Sequence, residues 1–388
     1  MTSNSKNILF VHYGDPWLRG SEHCLLNLLK TLDKNQFNPV VWTNNPKLHQ
    51  QVLQMGIVSQ LDCFPLLLGW KAPRWNIAAW QRLKRQTRDL ISAHRIDLIH
   101  NNSAAPGQWT NLVAKECGIP TVTQLHSAYP LRDRITLGLH LSTRIIAVSK
   151  AVAESMAFDH YPRPRLKVVT NGIDCQALLS QPPMDVRAHL NISKHAKVFV
   201  TVGSLIQRKG MDRLINAFRQ VNRCIEAHLI IIGDGELKES LQQQANGLPV
   251  HFVGEQEHVH RWMRGGVDGF ISGARSEAFG LVCAEASLAK LPVIAPNVGG
   301  IPEVVEHKHT GLLFSEQLEL VQHIHAIAAK PDWAKHLGQA GHNKVLEQFT
   351  LEKNCCQIQA IYYNALNKPS EEPLYTALRP LSHRLLAR

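Results

Sequence analysis

The chain alternates short apolar runs with stretches of helical hydrophobic periodicity. In the first half the runs are Ile8–His12, Pro39–Thr43, Ile96–His100, Thr121–Leu125, Arg144–Val148 and Lys167–Val169. In the second half they are Val198–Val202, His228–Ile232, Val250–Val253, Gly269–Ser272, Pro292–Ala295 and Gly311–Phe314. Runs that are apolar throughout are typical of strands buried on both faces, and intervening helices favour parallel pairing. The sequence therefore predicts an α/β protein built from doubly wound parallel sheets.

The length of 388 residues exceeds what a single core supports, so two domains are expected. The predicted boundaries are residues 1–175 for an N-terminal domain, 176–195 for a linker and 196–347 for a second domain. The linker is placed where Gln181-Pro-Pro-Met-Asp185 interrupts the periodicity. Residues 348–388 are predicted to form a helix that packs back toward the N-terminal domain and a loose basic tail. Two such sheets would face each other across a cleft bordered by the carboxyl ends of their strands.

The positive charge is concentrated in the first half of the chain. Residues 1–190 contain 21 Lys and Arg against 12 Asp and Glu, a net charge of +9, whereas residues 191–388 have a net charge of +2. No nucleic-acid motif accompanies this charge, so no nucleic acid is expected as a partner. Aromatic and basic residues alternate between residues 66 and 88, as in interfacial membrane segments. They are Trp70, Lys71, Arg74, Trp75, Trp80, Arg82, Lys84, Arg85 and Arg88.

That basic segment has two readings, an anionic membrane surface or a basic surface helix whose tryptophans pack on their own domain. No stretch approaches the length of a membrane span, and the N-terminal apolar run is too short for a signal peptide. The sequence therefore predicts a cytoplasmic protein that can lie at the inner face of the membrane. The eight cysteines show no C-x-x-C spacing, and no histidine or D-x-D pattern suggests a metal, so no cofactor is expected.

Two carboxylates flank a glycine that can begin a helix in Glu277-Ala-Phe-Gly-Leu-Val-Cys-Ala-Glu285. An ionised carboxylate can accept hydrogen bonds from two neighbouring sugar hydroxyls, and N–H groups at a helix N-terminus attract phosphate. The spacing alone is also common on ordinary helix surfaces. The combination nevertheless suits a sugar nucleotide.

Glycine loops follow several predicted strands of the second half. The first, Thr201-Val-Gly-Ser-Leu-Ile-Gln-Arg-Lys-Gly210, places Arg208 and Lys209 just before a helix, where cations can meet a diphosphate. Gly233-Asp-Gly235 and Phe252-Val-Gly254 end the next two strands. Each glycine could simply make a tight turn, but their succession favours loops that approach a ligand.

The order of these motifs resembles the family 4 glycosyltransferases. The shared segments are Val202-Gly-Ser-Leu205, Arg208-Lys-Gly210, Gly233-Asp-Gly235, Phe252-Val-Gly254, Ser276–Glu285, Val298-Gly-Gly-Ile-Pro-Glu303 and Thr310–Phe314, preceded by Gly20-Ser-Glu-His23, Gln124-Leu-His126, Ala147–Lys150 and Asn171–Asp174. The resemblance covers residues 7 to 366. It implies the GT-B fold and retaining transfer of a hexose from a nucleotide sugar, expected to be a UDP- or GDP-sugar, to a glycan or lipid-linked acceptor. The basic first half favours an anionic or membrane-embedded acceptor, such as a lipid-pyrophosphate-linked glycan, in cell-surface polysaccharide or lipopolysaccharide biosynthesis.

The resemblance also implies residue roles. The catalytic residues would be His126, facing the donor sugar, Lys209, neutralising the leaving diphosphate, and Glu277, holding sugar hydroxyls. Glu285 would hold the ribose, and the Gly20-Ser21 loop would close against the diphosphate. The complete predicted donor-binding set is Gly20, Ser21, Arg208, Lys209, Gly233, Gly235, Val253, Glu277, Phe279, Gly280, Leu281 and Glu285.

The chain departs from the family pattern at two positions. Ser204 stands where the family usually has an arginine, and Arg19 precedes Gly20 where a second glycine is common. We hypothesise that Arg19 or Arg208 replaces the missing phosphate cation.

Three other functions share parts of this sequence pattern. A nicotinamide-dependent enzyme lacks support because Gly233-Asp-Gly-Glu-Leu-Lys238 does not complete a G-x-G-x-x-G pattern. A sugar-nucleotide 2-epimerase and a catalytically weak binding protein stay open at this point. Product analysis without acceptor, and turnover assays, respectively distinguish them from a transferase.

Overall fold

The structure is a computed structural model that describes residues 5–70, 74–159 and 161–367. The chain forms two compact units. Among the described residues, unit 1 comprises those up to 172 together with 351–367, and unit 2 comprises those from 173 to 350.

Unit 1 is built on a seven-stranded parallel sheet with strand order β3-β2-β1-β4-β5-β6-β7. Its strands are β1 (Lys6–His12), β2 (Phe37–Thr43), β3 (Val58–Leu61), β4 (Leu98–Asn101), β5 (Thr121–Leu125), β6 (Arg144–Ala147) and β7 (Leu166–Val168). The helices up to β7 are α1 (Gly20–Thr31), α2 (Pro46–Gln54), α3 (Ile77–His94), α4 (Gly107–Glu116), α5 (Leu131–Thr136) and α6 (Lys150–Phe158). Consecutive residues of β1 alternate between two buried clusters, so its continuous apolar run reflects burial on both faces.

Strand β3 has no counterpart among the apolar runs that predicted the other strands of unit 1. The edge strand β3 reads Val-Ser-Gln-Leu with all four residues at least partly exposed, so it lacks the apolar run of a buried strand. Helix α2 is short, but its start is well determined: Pro46 occupies the first turn and the Asn45 side chain accepts hydrogen bonds from the Lys47 and Leu48 N–H groups.

Unit 2 contains a six-stranded parallel sheet with order β10-β9-β8-β11-β12-β13. Its strands are β8 (Lys197–Val202), β9 (Ala227–Ile232), β10 (Val250–Gly254), β11 (Gly269–Ile271), β12 (Val293–Pro296) and β13 (Gly311–Phe314). Its helices are α7 (Cys175–Ser180), α8 (Val186–His189), α9 (Met211–Val221), α10 (Lys238–Gln244), α11 (Val259–Met263), α12 (Leu281–Leu288), α13 (Ile301–Val304), α14 (Gln317–Ala329) and α15 (Pro331–Gln348). The predicted doubly wound α/β architecture is confirmed in both units.

The segment 176–195, predicted as a linker, lies within unit 2. Val186 is fully buried, and its N–H donates to the Gly265 carbonyl. The guanidinium of Arg264 donates to the carbonyls of Leu179 and Gln181. These bonds tie the proline-containing segment to the sheet layer of unit 2.

The last described helix, α16 (Leu351–Asn367), belongs to unit 1. Ile358 and Tyr362 are buried in the same cluster as Ile8 and Phe10 of β1. The Tyr362 hydroxyl lies 2.7 Å from His100 Nδ1 in the interior, so the helix is fixed by a specific polar contact as well as by apolar burial. The predicted tail from residue 368 lies outside the described residues. Among the helices described, none combines the length and apolar character needed to cross a membrane.

Candidate active site

The order of strands in the parallel sheet of unit 2 switches direction at β8, which pairs with β9 on one side and β11 on the other. Open α/β sheets bind ligands beyond the carboxyl ends of the strands at such a switch point. The loops that follow β8 and β11 contain Lys209 and Glu277, respectively. Two of the three predicted catalytic residues therefore lie at the switch point of one sheet.

Lys209 and Glu277 form an ion pair although 68 residues separate them. Lys209 Nζ lies 2.6 Å from Glu277 Oε2, and each side chain is 19% exposed. Partial burial strengthens such a charge-assisted hydrogen bond while leaving both groups accessible. The sequence predicted separate partners for these residues, and the structure adds that each one positions the other.

Arg208 borders the same carboxylate. Its guanidinium donates to the Ser276 carbonyl at 3.0 Å and lies 3.6 Å from Glu277 Oε2. Arg19, the other suggested substitute for a cation at Ser204, lies in unit 1 with its guanidinium 5.3 Å from the centre of the Trp17 ring. Compensation by either arginine stays a prediction.

Glycines allow the strand-end loops of unit 2 to pack against each other without side chains between them. A Cβ on Gly210 would lie 2.0 Å from the Gly273 carbonyl oxygen, and a Cβ on Gly233 would lie 2.1 Å from that of Gly203. A Cβ on Gly235 would meet the backbone of Leu205 at 2.7 Å. The predicted donor-binding residues Gly233 and Gly235 thus have a structural requirement of their own.

The Gly299-Gly300 pair holds the loop that carries Glu277. The Gly300 N–H donates to the Glu277 carbonyl at 3.0 Å. A Cβ on Gly299 would lie 1.8 Å from that same oxygen, and a Cβ on Gly300 would lie 2.2 Å from the Ala278 carbonyl oxygen. The backbone of Glu277 therefore keeps its position only if both residues lack side chains.

We expect Gly299→Ala to destabilise unit 2 by about 2–4 kcal/mol, the sum of left-handed backbone strain and overpacking. Gly299 has a φ of +55°, and the new methyl would displace Glu277. Gly247→Ala is the matched control, because Gly247 has a φ of +74° with no atom within 4 Å of its Cβ position. The control should lose only about 1 kcal/mol in urea denaturation. Equal losses in the two variants would contradict the packing argument.

Helix α12 begins at Leu281, after Gly280 in a left-handed conformation with φ of 100°. Gly280 provides no side-chain cap, so the first turn presents backbone groups only. The Phe279 side chain is buried, with its ring centre 5.4 Å from that of Phe349. Only the backbone of Phe279 can therefore serve the predicted donor contact.

Glu285 lies in the second turn of α12. Burial raises the pKa of its carboxyl to about 7, and the charge of Lys209 partly opposes this rise. Burial also raises the pKa of the Cys283 thiol, to about 12. The carboxyl of Glu285 is therefore close to half ionised at neutral pH.

Val253 lies one residue before the end of β10, the edge strand of the unit 2 sheet. Its carbonyl accepts a hydrogen bond from the Gln256 side chain at 2.8 Å. The pairing of β10 with β9 is irregular between Phe252 and Gly254.

In the sheet of unit 1, the order of strands switches direction between β1 and β4. His12 ends β1, Asn102 follows β4, and His126 follows β5. The predicted catalytic residue His126 therefore lies one strand away from the switch point of the unit 1 sheet.

These residues form a hydrogen-bonded chain with Glu22. Glu22 Oε1 lies 2.8 Å from His12 Nε2, and His12 Nδ1 lies 3.0 Å from Asn102 Nδ2. Asn102 Oδ1 in turn lies 3.3 Å from His126 Nε2. Glu22, His12 and Asn102 are buried, whereas His126 is half-buried.

The same glutamate fixes the predicted Gly20-Ser21 loop. Glu22 Oε2 accepts hydrogen bonds from the Arg19 N–H at 3.0 Å and the Ser21 hydroxyl at 3.1 Å, at the start of α1. Burial by itself would raise the pKa of Glu22, but the hydrogen bond from His12 and the backbone donors lower it to about 2. Glu22 is thus an ionised, acceptor-only group at neutral pH.

Burial lowers the pKa of His126 to about 4 and that of His100 to about 3. Both rings are therefore neutral near pH 7. Because the unfolded chain takes up these protons near pH 6.5, unit 1 loses stability as the pH falls from that value toward the folded pKa values.

Sequence reasoning did not identify His12 or Asn102, and it quoted Glu22 only inside a motif. The available signal was positional, since polar residues end two strands that the topology makes neighbours. In the parts of the chain that the structure describes, no group of three His, Cys, Asp or Glu residues could hold a metal ion.

Two family profiles match the chain. The profile described as "Glycosyltransferase Family 4" matches residues 18–177, and the one described as "Glycosyl transferases group 1" matches residues 185–344. Together they span most of both units.

The sequence identity to individual relatives is low. The chain is 25% identical over 301 residues to N-acetyl-alpha-D-glucosaminyl L-malate synthase of Bacillus anthracis, covering 73% of this chain and 79% of the relative. It is 28% identical over 294 residues to a GDP-mannose-dependent alpha-(1-6)-phosphatidylinositol monomannoside mannosyltransferase of Mycobacterium tuberculosis, covering 68% and 74%. The crystal structure of Anabaena HepE in complex with UDP-glucose matches with a TM-score of 0.77 at 22% identity, over 92% of this chain and 99% of HepE.

Proposed function

This chain belongs to the family 4 glycosyltransferases and has the GT-B fold class, and we propose that it moves a hexose from a nucleotide sugar to a glycan or lipid-linked acceptor with retention of the anomeric configuration. The observation that carries the proposal is the Lys209–Glu277 pair at the switch point of unit 2. A cation suited to a diphosphate and a carboxylate suited to sugar hydroxyls lie 2.6 Å apart, the spacing at which one sugar diphosphate could engage both.

In the proposed reaction, the diphosphate leaves on the face of the sugar from which the acceptor attacks, and it takes the acceptor proton. Lys209 and the first turn of α12 stabilise the charge that develops on the diphosphate. Glu277 holds sugar hydroxyls, while in unit 1 His126 meets the donor sugar and Gly20-Ser21 meets the diphosphate. Because Lys209 and Arg208 supply the positive charge, we propose that no metal or cofactor participates and expect turnover to survive EDTA.

The donor is proposed to be a UDP- or GDP-sugar. One relative is named as GDP-mannose-dependent, and the HepE structure contains UDP-glucose. Glu285 in α12 would accept hydrogen bonds from the ribose hydroxyls, which both nucleotides share.

A thermal-shift panel of UDP-, GDP- and ADP-sugars tests donor binding, since a ligand at 100 times its Kd stabilises the folded state by about 2.7 kcal/mol. The stabilising donor is then incubated with and without candidate acceptors, and the anomeric configuration of the product is read by NMR. Retention in an acceptor-dependent product supports the proposal. Conversion of the donor without acceptor indicates an epimerase, and absence of stabilisation by every nucleotide sugar overturns the donor-site assignment.

Donor affinity should depend on pH through Glu285. The carboxyl must be ionised to accept two hydroxyls, so with a pKa of about 7 the affinity rises as the pH increases through 7. At pH 6 about one molecule in ten is ionised, and binding should be roughly tenfold weaker than at alkaline pH. Calorimetry with an intact nucleotide sugar measures this, because the diphosphate ester lacks the phosphate proton that titrates near pH 6. Glu285→Gln should flatten the profile, and an unchanged profile would refute the ribose assignment.

We also propose that the acceptor lies at the inner face of the cytoplasmic membrane, in cell-surface polysaccharide or lipopolysaccharide biosynthesis. The support is the M. tuberculosis relative, whose name specifies a phosphatidylinositol mannoside, and the outer face of α3. Just before α3, Arg74 is exposed and Trp75 is 73% exposed, while in α3 Ile77 is 56% exposed and Arg82 and Arg85 are exposed.

The remaining residues of the predicted membrane segment have partners within unit 1. The Trp70 Nε1–H donates to Asp133, Lys84 lies 4.8 Å from the centre of the Trp80 ring, and Arg88 pairs with Glu116. Lys71 lies outside the described residues. The proposed membrane surface is thereby narrowed to Arg74, Trp75, Ile77, Arg82 and Arg85, just before α3 and in its first half.

Sedimentation with phosphatidylglycerol vesicles tests this surface. Trp75→Ser combined with Arg82→Gln should reduce binding, and Trp17→Ser is the control because Trp17 is a 50% exposed tryptophan outside this surface. Wild-type protein that stays in the supernatant, or equal binding of the double variant, rules the surface out.

A further inference from the structure

The chain from Glu22 through His12 and Asn102 to His126 contains enough fixed groups to determine where its protons lie. Its four members come from α1, the end of β1, and the loops after β4 and β5. All of its hydrogen-bond distances fall between 2.8 and 3.3 Å.

The backbone carbonyl of Ser21 fixes the side-chain amide of Asn102. Asn102 Nδ2 lies 3.1 Å from the Ser21 carbonyl oxygen, which can only accept, so the NH2 group and not the amide oxygen must face it. The same Nδ2 lies 3.0 Å from His12 Nδ1. His12 Nδ1 must therefore be unprotonated and accept the second hydrogen of the amide.

The proton of the His12 ring then lies on Nε2. That atom is 2.8 Å from Glu22 Oε1, and Glu22 is an acceptor whose other oxygen already receives two donors. The carboxylate end and the amide end thus require the same tautomer of His12.

The opposite side of the Asn102 amide determines the tautomer of His126. With Nδ2 directed at Ser21 and His12, Oδ1 faces His126 Nε2 at 3.3 Å and accepts from it. His126 therefore carries its proton on Nε2, and the lone pair of a neutral ring lies on Nδ1.

We propose that Asn102 is a positioning residue whose fixed amide makes His126 present an unprotonated Nδ1, so that His126 accepts a hydrogen bond from a hydroxyl of the donor sugar. The inference rests on the proposed function, in which His126 meets that sugar. It restricts the group at this point to a hydrogen-bond donor. A sugar with a carboxylate or without the hydroxyl at that position would leave Nδ1 unpaired and would be transferred poorly.

The tautomers can be measured without any substrate. In the full-length protein labelled with 15N-histidine, NMR at pH 7 should show both His12 and His126 as Nε2–H tautomers, with assignments from His12→Gln and His126→Gln. Asn102→Ala should leave His126 with a mixture of tautomers. Asn111→Ala is the matched control, since Asn111 is an equally buried amide that bonds Gly138 and Ser142 but no histidine. An Nδ1–H tautomer of His126 in the wild type overturns the proposal.

Kinetics connect the tautomer to transfer. Asn102→Ala should lower kcat roughly 10- to 100-fold, as removal of a residue that orients a functional histidine does. If Asn102→Ala fails to fold, the wild-type spectra still decide the assignment.

The outcomes separate the two proposals. Turnover by the wild type together with unchanged kcat and tautomers in Asn102→Ala refutes the positioning role alone. The expected tautomers with no nucleotide sugar bound or turned over refute the proposed function, and with it the sugar contact of His126.

Discussion

Replacing Lys209 with Met is expected to lower kcat by about 10²- to 10³-fold, the usual effect of removing one group that stabilises developing charge. The variant removes the cation beside the leaving diphosphate and leaves the 19%-exposed carboxylate of Glu277 with Arg208, 3.6 Å away, as its neighbouring cation. Steady-state kinetics with the donor found in the thermal-shift panel measures the loss. Because Lys209 also holds down the pKa of Glu285, the pH dependence of donor affinity should move to higher pH in this variant.

Lys344→Met is the matched control for Lys209→Met. Lys344 Nζ also lies 2.6 Å from a carboxylate in unit 2, that of Glu306. Its loss should leave kcat unchanged. In addition, Glu277→Gln and the double variant complete a cycle in which the two losses should not add, because the residues position each other. A Lys209→Met enzyme within threefold of the wild-type kcat would exclude the proposed role.

Replacing Glu22 with Gln should destabilise unit 1 by about 2–4 kcal/mol, since it breaks buried charge-assisted hydrogen bonds at both carboxylate oxygens. The amide nitrogen of the new side chain is a donor, and it would have to face either the N–H of His12 or the donors of Arg19 and Ser21. Hydrogen exchange of peptides from β1 and α1 measures the effect on unit 1 separately from unit 2.

The pH dependence gives this prediction a specific form. A folded pKa of about 2 against 4.5 for the unfolded chain means that Glu22 contributes its full stability above pH 4.5 and loses it between pH 4.5 and 2. The contribution corresponds to about 3 kcal/mol. The difference between wild type and Glu22→Gln should therefore shrink across that window. Glu116→Gln, at an exposed ion pair with Lys84 and Arg88, should change stability by less than about 1 kcal/mol, and an equal effect at both sites would contradict the role of burial.

Ser204 stands where the family usually has a cation, so another residue is predicted to supply the positive charge. Arg208 was one of two arginines suggested to replace the missing cation. In the structure its guanidinium contacts the Ser276 carbonyl and approaches Glu277, so it borders the predicted phosphate position without being directed only to it. Donor affinity in an Arg19→Ala and Arg208→Ala double variant tests the compensation, and undiminished affinity and turnover would rule it out.

The sequence by itself determined the fold class and the family. Continuous apolar runs can be covered only when helices lie on both sheet faces, so the pattern of β1 or β9 specifies a buried parallel strand without reference to the rest of the chain. Edge strand β3 was missed for the same reason, because its exposed residues carry no such pattern. The family followed from the order of short motifs, in which Lys209, Glu277 and Glu285 were already candidates.

Only the tertiary structure decided how those candidates act on each other. The Lys209–Glu277 pair and the chain from Glu22 to His126 join residues on different strand-end loops, and sequence separation carries no information about such contacts. The structure also shows why Gly299 and Gly233 must lack side chains. At each position a Cβ would collide with a neighbouring backbone, which local turn propensity cannot reveal. Local pattern fixes which surfaces must be buried, whereas hydrogen-bond geometry and pKa values depend on which atoms the folded chain brings within about 3 Å.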